Sequence, residues 1–131
     1  MKTLPLRLYG TVALCTFLTA CSGVAATPIA VSTLKQQLQA EIGDAACDSA
    51  QQCKTVAVGH KACGGPEGYL PWSSKRSDGA KITWLAAALA AESQSQTIKS
   101  GMVSTCSMVL DPGATCVAGH CAPGQSGPVA R

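Results

Sequence analysis

Val31, Leu34, Leu38 and Ile42 recur at spacings of three, four and four, while Lys35, Gln36, Gln37, Gln39 and Glu41 occupy positions between them. That period puts the apolar set on one face of a helix. Thr27-Pro28 offers a capping hydroxyl and a first-turn proline, and Gly43 offers a stop, so an amphipathic helix of about fourteen residues is predicted. From Cys53 to His60 the period changes. Lys54, Val56 and Val58 alternate with Thr55, Ala57 and Gly59, which predicts a strand. Cys63-Gly64-Gly65-Pro66 predicts a tight turn, followed over 67–74 by an irregular segment carrying Tyr69, Pro71 and Trp72.

Beyond a cap at Ser77 or Asp78, the residues from Gly79 to Ser100 return to helical spacing, with Ile82, Leu85 and Leu89 on one face and Trp84 and Ala88 beside them. Gly101 ends that helix. Two strands are expected next, over 103–110 and 114–121, joined by Asp111-Pro112-Gly113 as a type II turn. The elements compose one α+β domain over residues 27–122, a short antiparallel sheet with two helices packed on it. Residues 123–131 carry Pro and Gly and are expected to form a flexible tail.

The first twenty residues have a different character: Lys2 and Arg7 precede an apolar run that ends at Leu18-Thr19-Ala20-Cys21. This is the layout of an export signal, too short for the ~20 apolar residues of a membrane span. The four residues Leu18 to Cys21 resemble the lipobox of bacterial lipoprotein precursors. That resemblance implies cleavage before Cys21, lipidation (thioether lipid and palmitate) of Cys21, and a membrane partnership through this anchor. Residues 21–26 then act as a tether, and Ser22 after the cysteine resembles the usual case of transport to the outer membrane, facing the periplasm. An ordinary signal cut near Ala25-Ala26 is the alternative.

Export changes the reading of charge and cysteine content. The formal net charge of +3 falls to +1 once Lys2 and Arg7 are set aside, and the remaining basic residues are scattered without aromatic interleaving. Nucleic acid is therefore not an expected partner. With Cys15 in the signal and Cys21 on lipid, six cysteines remain: Cys47, Cys53, Cys63, Cys106, Cys116 and Cys121. An even number in an exported chain reads as three disulfides, which make up for a core short of aromatic residues. Proximity in sequence favours Cys47 with Cys53 and Cys116 with Cys121, leaving Cys63 with Cys106 across the long helix, one set among fifteen.

Cys53-Lys54-Thr55-Val56, Gly59, Cys63-Gly64-Gly65-Pro66, Tyr69, Ser73, Pro112, Cys116 and Cys121 together resemble a group of small cysteine-rich, uncharacterised bacterial envelope lipoproteins. The likeness spans roughly 46–122 and implies no activity.

Candidate chemistry is sparse. His60 and His120 are the only histidines, and no Gly-x-Ser-x-Gly turn accompanies them, so a hydrolase centred on either is an alternative reading. His60 with Cys63, and Cys116 with His120, have spacings that suit zinc, but oxidised sulfur is no thiolate ligand. No Cys-x-x-Cys pair suggests thiol redox catalysis, and no cofactor is implied. Gly64, Gly65, Pro66, Tyr69 and Trp72 are the candidate binding residues, since aromatic side chains on a stapled turn give contact area at low entropic cost; the competing reading puts Tyr69 and Trp72 in the core. The favoured function is a non-enzymatic, lipid-anchored binding module for an envelope protein or cell-wall partner, an inhibitor or immunity protein among the options. A purely structural envelope lipoprotein is a further alternative. Lysozyme-inhibitor lipoproteins are only loosely echoed by Gly64-Gly65-Pro66-Glu67-Gly68-Tyr69.

If Cys21 carries the lipid, Cys21→Ala is expected to move the protein to the soluble fraction or stall its processing, as read by detergent partition and intact mass. A processed variant that stays membrane-bound places the anchor elsewhere.

Overall fold

The structure is a computed structural model and describes residues 30–124. The signal, Cys21, the tether, Thr27-Pro28 and the tail beyond Gly124 lie outside the described residues. Helix α1 spans Val31–Ile42 and buries Leu34, Leu38 and Ile42, the apolar face expected from the spacing. A single 3-10 turn, Ala50–Gln52, leads into strand β1, Cys53–Val58, which pairs antiparallel with β2, Gly68–Ser73. Helix α2 is Gly79–Ser100. Its start is fixed by Asp78, whose Oδ1 accepts from the N–H groups of Ala80 at 2.9 Å and Lys81 at 3.4 Å. Strands β3, Ala114–Val117, and β4, His120–Pro123, form a second antiparallel pair. The result is a small disulfide-rich α+β domain with two two-stranded sheets. Among the described residues no helix is long and apolar enough to cross a membrane.

Several local expectations give way. Residues 67–74 are not irregular: Gly68–Ser73 is a strand, because pairing with β1 satisfies its backbone even with Pro71 inside it. Residues 103–110 are not a strand, and no turn joins them to one. The stretch 114–121 is divided in two by Ala118-Gly119, both at positive φ, which folds it into a tight hairpin. Asp111-Pro112-Gly113 closes instead through the Asp111 side chain, which accepts from the Gly113 N–H at 2.8 Å.

The core lies where α1 and α2 pack on each other and on the β1–β2 pair. Leu38 and Ile82 are fully buried, Leu34, Leu85, Ala86 and Leu89 nearly so, and Trp72 joins them at 8% exposure. Trp72 is thus part of the core and presents no exposed recognition surface. Gly79 makes room for it: a Cβ there would lie 2.9 Å from the indole ring. Between the helices, Lys81 Nζ meets Glu41 Oε2 at 2.7 Å, while the Asp78 N–H donates to Glu41 Oε1. The Lys81 ammonium, with that N–H assisting, holds the Glu41 carboxyl below the usual carboxylate range.

The disulfides are Cys47–Cys116, Cys53–Cys121 and Cys63–Cys106. Only the third matches the expected set. Cys116 and Cys121 stand directly opposite each other in the β3–β4 register, yet each reaches across to the segment that precedes or opens β1. The hairpin is docked there by main-chain bonds, the Cys47 N–H to the Gly119 carbonyl at 2.8 Å and the Cys121 N–H to the Ala45 carbonyl at 2.9 Å. Docking brings the distant sulfurs together. The bridged residues are 69 and 68 apart in sequence. In the chain-entropy model each such closure removes about 4 kcal/mol of unfolded-state freedom, against about 2 for the short loops that sequence proximity favours.

Trp72→Ala is expected to lower stability by about 3 to 5 kcal/mol, as measured by denaturant unfolding, because it opens a cavity at the helix–strand junction. Gly79→Ala, which presses a methyl against the same ring, is expected to cost about 1 to 3 kcal/mol. Unchanged unfolding midpoints in both would remove Trp72 from the core.

Candidate functional site

After Gly101 ends α2 in the left-handed conformation, residues 102–110 cross the surface with no helix, strand, turn or bend. Among the described residues, none of the nine makes a backbone-to-backbone hydrogen bond. Their apolar side chains are not covered either. Val103 is 96% exposed and Met108 86%, with Met102 and Leu110 also largely in solvent. Among the described residues, five of the eight exposed large hydrophobic side chains fall in this one stretch, Met102, Val103, Met108, Val109 and Leu110.

The strap is held at three points. Cys106 is bridged to Cys63 with the Cα atoms 5.4 Å apart. The Lys61 ammonium donates to the Ser107 carbonyl. At the far end the Thr55 hydroxyl of β1 donates to Asp111 Oδ2 at 2.8 Å, while Oδ1 of the same carboxylate accepts from the Gly113 N–H. One carboxylate therefore fastens the strap to the sheet and shapes its exit.

Opposite the strap stands the glycine turn. Gly64 and Gly65 have φ of 89° and 76°, a region that side chains other than hydrogen strongly disfavour. The turn closes on Lys61, whose carbonyl accepts from the Gly64 N–H at 2.8 Å and whose N–H donates to the Gly65 carbonyl at 3.0 Å. Lys61 thus belongs to the turn through its backbone and to the strap through its side chain. A groove of about 340 Å³ separates the two, walled by Gly64, Gly65 and Pro66 on one side and Ser107, Met108 and Val109 on the other. A second groove, of about 290 Å³, lies under the first half of the strap and is lined by His60, Glu67, Thr97, Met102 and Ser104.

The structure brings Gly64, Gly65 and Pro66 together with the strap and leaves the aromatic candidates out. Tyr69 sits in β2 opposite Ala57, half-buried, and Trp72 is core. His120 is held by its Nδ1 against the Asp44 carbonyl at 2.9 Å, next to the bridge that pairs Ala46 with it. His60 shares its groove with Glu67 and Ser104, but among the described residues no hydrogen bond joins it to either, and the Ser104 hydroxyl donates to the Thr105 carbonyl. Cys63 and Cys116, paired in sequence with these histidines as metal ligands, are both bridged. The sulfurs of Cys47, Cys53 and Cys121 lie within 4.8 Å of one another, all likewise in disulfides.

Sequence reasoning missed Lys61, Met108 and Asp111. A signal was present for the strap itself: Met108-Val109-Leu110 is a run of three consecutive apolar residues, which as a strand would put apolar side chains on both faces of a two-stranded pair. Replacing both bridge cysteines, Cys63→Ser with Cys106→Ser, is expected to lower stability by up to about 4 kcal/mol, the closure term for this loop, and to make 102–110 the first site of proteolytic nicking. Nicking elsewhere first would show that the staple does not govern the strap. None of the protein-family models, curated proteins or solved structures compared with the chain matches it.

Proposed function

We propose that this is a lipid-anchored bacterial envelope protein, without catalysis of its own, whose stapled domain binds a protein partner through residues 102–110 and the facing glycine turn. The anchor is Cys21, in line with Leu18-Thr19-Ala20 before it, and the outer membrane, facing the periplasm, is the proposed location. Three disulfides fit an oxidising compartment. The single observation that carries the binding role is the strap: nine residues, all but Ser104 exposed, braced at Cys106, Ser107 and Asp111, with apolar side chains in solvent and a main chain that pairs with no other main chain among the described residues. Such a segment is pre-organised, so little ordering entropy is left to lose on binding. A near-neutral mature chain supplies no long-range attraction, which puts the burden on contact and shape.

A hydrolase using His60 is the second reading, favoured by one fact: His60, Glu67 and Ser104 line the same groove. It ranks below the first because no hydrogen bond connects a base to a nucleophile among the described residues.

A photo-reactive residue placed at Met108 or Val103 in living cells tests the binding reading. A discrete protein adduct is expected from both positions and none from the exposed face of α2 at Gln94. Adducts that form equally well at Gln94, or none at the strap, would refute the surface.

A further inference from the structure

The strap also carries information about what kind of protein binds it. Among the described residues its main chain over 102–110 bonds to no other main chain, only the Thr105 and Ser107 carbonyls accept from side-chain N–H or O–H groups, and it runs without a turn or bend. A bilayer would leave those N–H and C=O groups unsatisfied, at several kcal/mol each. A protein cleft that receives an unturned segment can pair them, as strand-addition sites do. Within the strap, residues 107–110 are bracketed on both sides: by the Cys63–Cys106 bridge and the Lys61 contact to the Ser107 carbonyl before Met108, and by the Thr55–Asp111 hydrogen bond after Leu110. Met108 is the most exposed large side chain between those braces. Val103 is more exposed still, but it precedes the staple and is braced on one side only.

Resting on the binding role proposed above, we infer that residues 106–110 occupy the active-site cleft of an endopeptidase with an apolar specificity pocket, with Met108 filling that pocket. The segment is presented as a substrate is, with its main-chain N–H groups free to pair and Met108 its most exposed large side chain. It differs from a substrate in being held. Hydrolysis of the Met108–Val109 bond consumes one water and leaves a carboxylate on Met108 and an amine on Val109. Both new ends stay tied to the scaffold, one through Cys106 and Lys61, the other through Asp111 and Thr55. They cannot diffuse apart, so the reverse condensation, which returns the water, competes with release. The same braces lower the entropic cost of entering the cleft, a feature of tight peptidase–inhibitor complexes. The side chain at position 108 then sets which enzymes are blocked, since the specificity pocket is apolar in some endopeptidases and acidic in others.

The experiment uses the purified, processed full-length protein in detergent against chymotrypsin and subtilisin, which have apolar pockets, and trypsin, which has an acidic one, each assayed on a chromogenic peptide. One-to-one inhibition of chymotrypsin or subtilisin is expected, with trypsin spared. Met108→Arg is expected to reverse that order by about 100-fold in inhibition constant, the scale of a central interface side chain. An unchanged thermal melt of Met108→Arg separates this from damage to the fold. Failure to inhibit any of the three, a preference unaltered by Met108→Arg, or full recovery of peptidase activity with the strap cut after Met108 would each overturn the inference. Strap-specific photo-adducts obtained alongside such a result would leave the binding role standing and reject only the peptidase; their absence would reject both.

Discussion

Two disulfides, side by side, hold the fold together. Cys47–Cys116 and Cys53–Cys121 bind the chain just after α1 to the β3–β4 hairpin, and three of their four sulfurs lie within 4.8 Å of one another. Neither sheet has more than two strands, and an isolated hairpin is at best marginally stable in water. The bridges convert two weak hairpins into one framework by closing loops of nearly seventy residues, where the loss of unfolded-state entropy is large. Main-chain bonds from Cys47 to Gly119 and from Cys121 to Ala45 keep the bridged segments in place.

On that framework the apolar core is small and concentrated. The buried faces of α1 and α2 meet each other, and Trp72 closes the end against Gly79. A single large aromatic ring fills a volume that would otherwise require several aliphatic residues, which is why its neighbour must lack a side chain. The Glu41–Lys81 pair at the helix junction is partly exposed and adds orientation more than stability.

The third bridge has a different task. Cys63–Cys106 reaches outside the core to fasten a nine-residue strap that makes no main-chain-to-main-chain bond among the described residues. Ordering such a segment costs conformational entropy that burial does not repay there, so the order is supplied by covalent and polar braces at Cys106, Ser107 and Asp111. The binding role and the peptidase inference both follow from that imbalance between order and burial.

Much of the architecture was legible along the chain. The 3.6-residue period of Val31, Leu34, Leu38 and Ile42, and the Asp78 cap with its Gly101 stop, locate both helices because capping and amphipathicity are local properties. The alternation at Lys54, Val56 and Val58 locates β1 for the same reason. Even cysteine number indicated full pairing of the six, and Gly64-Gly65 marked a turn that needs positive φ. Tertiary structure alone decided the rest. Residues 68–73 became a strand because β1 lay beside them, while 103–110, richer in strand-forming residues, found no partner edge. Cys116 and Cys121 bypassed near neighbours for Cys47 and Cys53 because the hairpin folds back across sixty-odd residues, a distance to which local spacing is blind. Trp72 went inward and Met108 outward although both are large and apolar, since burial depends on which space the packed elements leave, and no residue carries that information in its own neighbourhood.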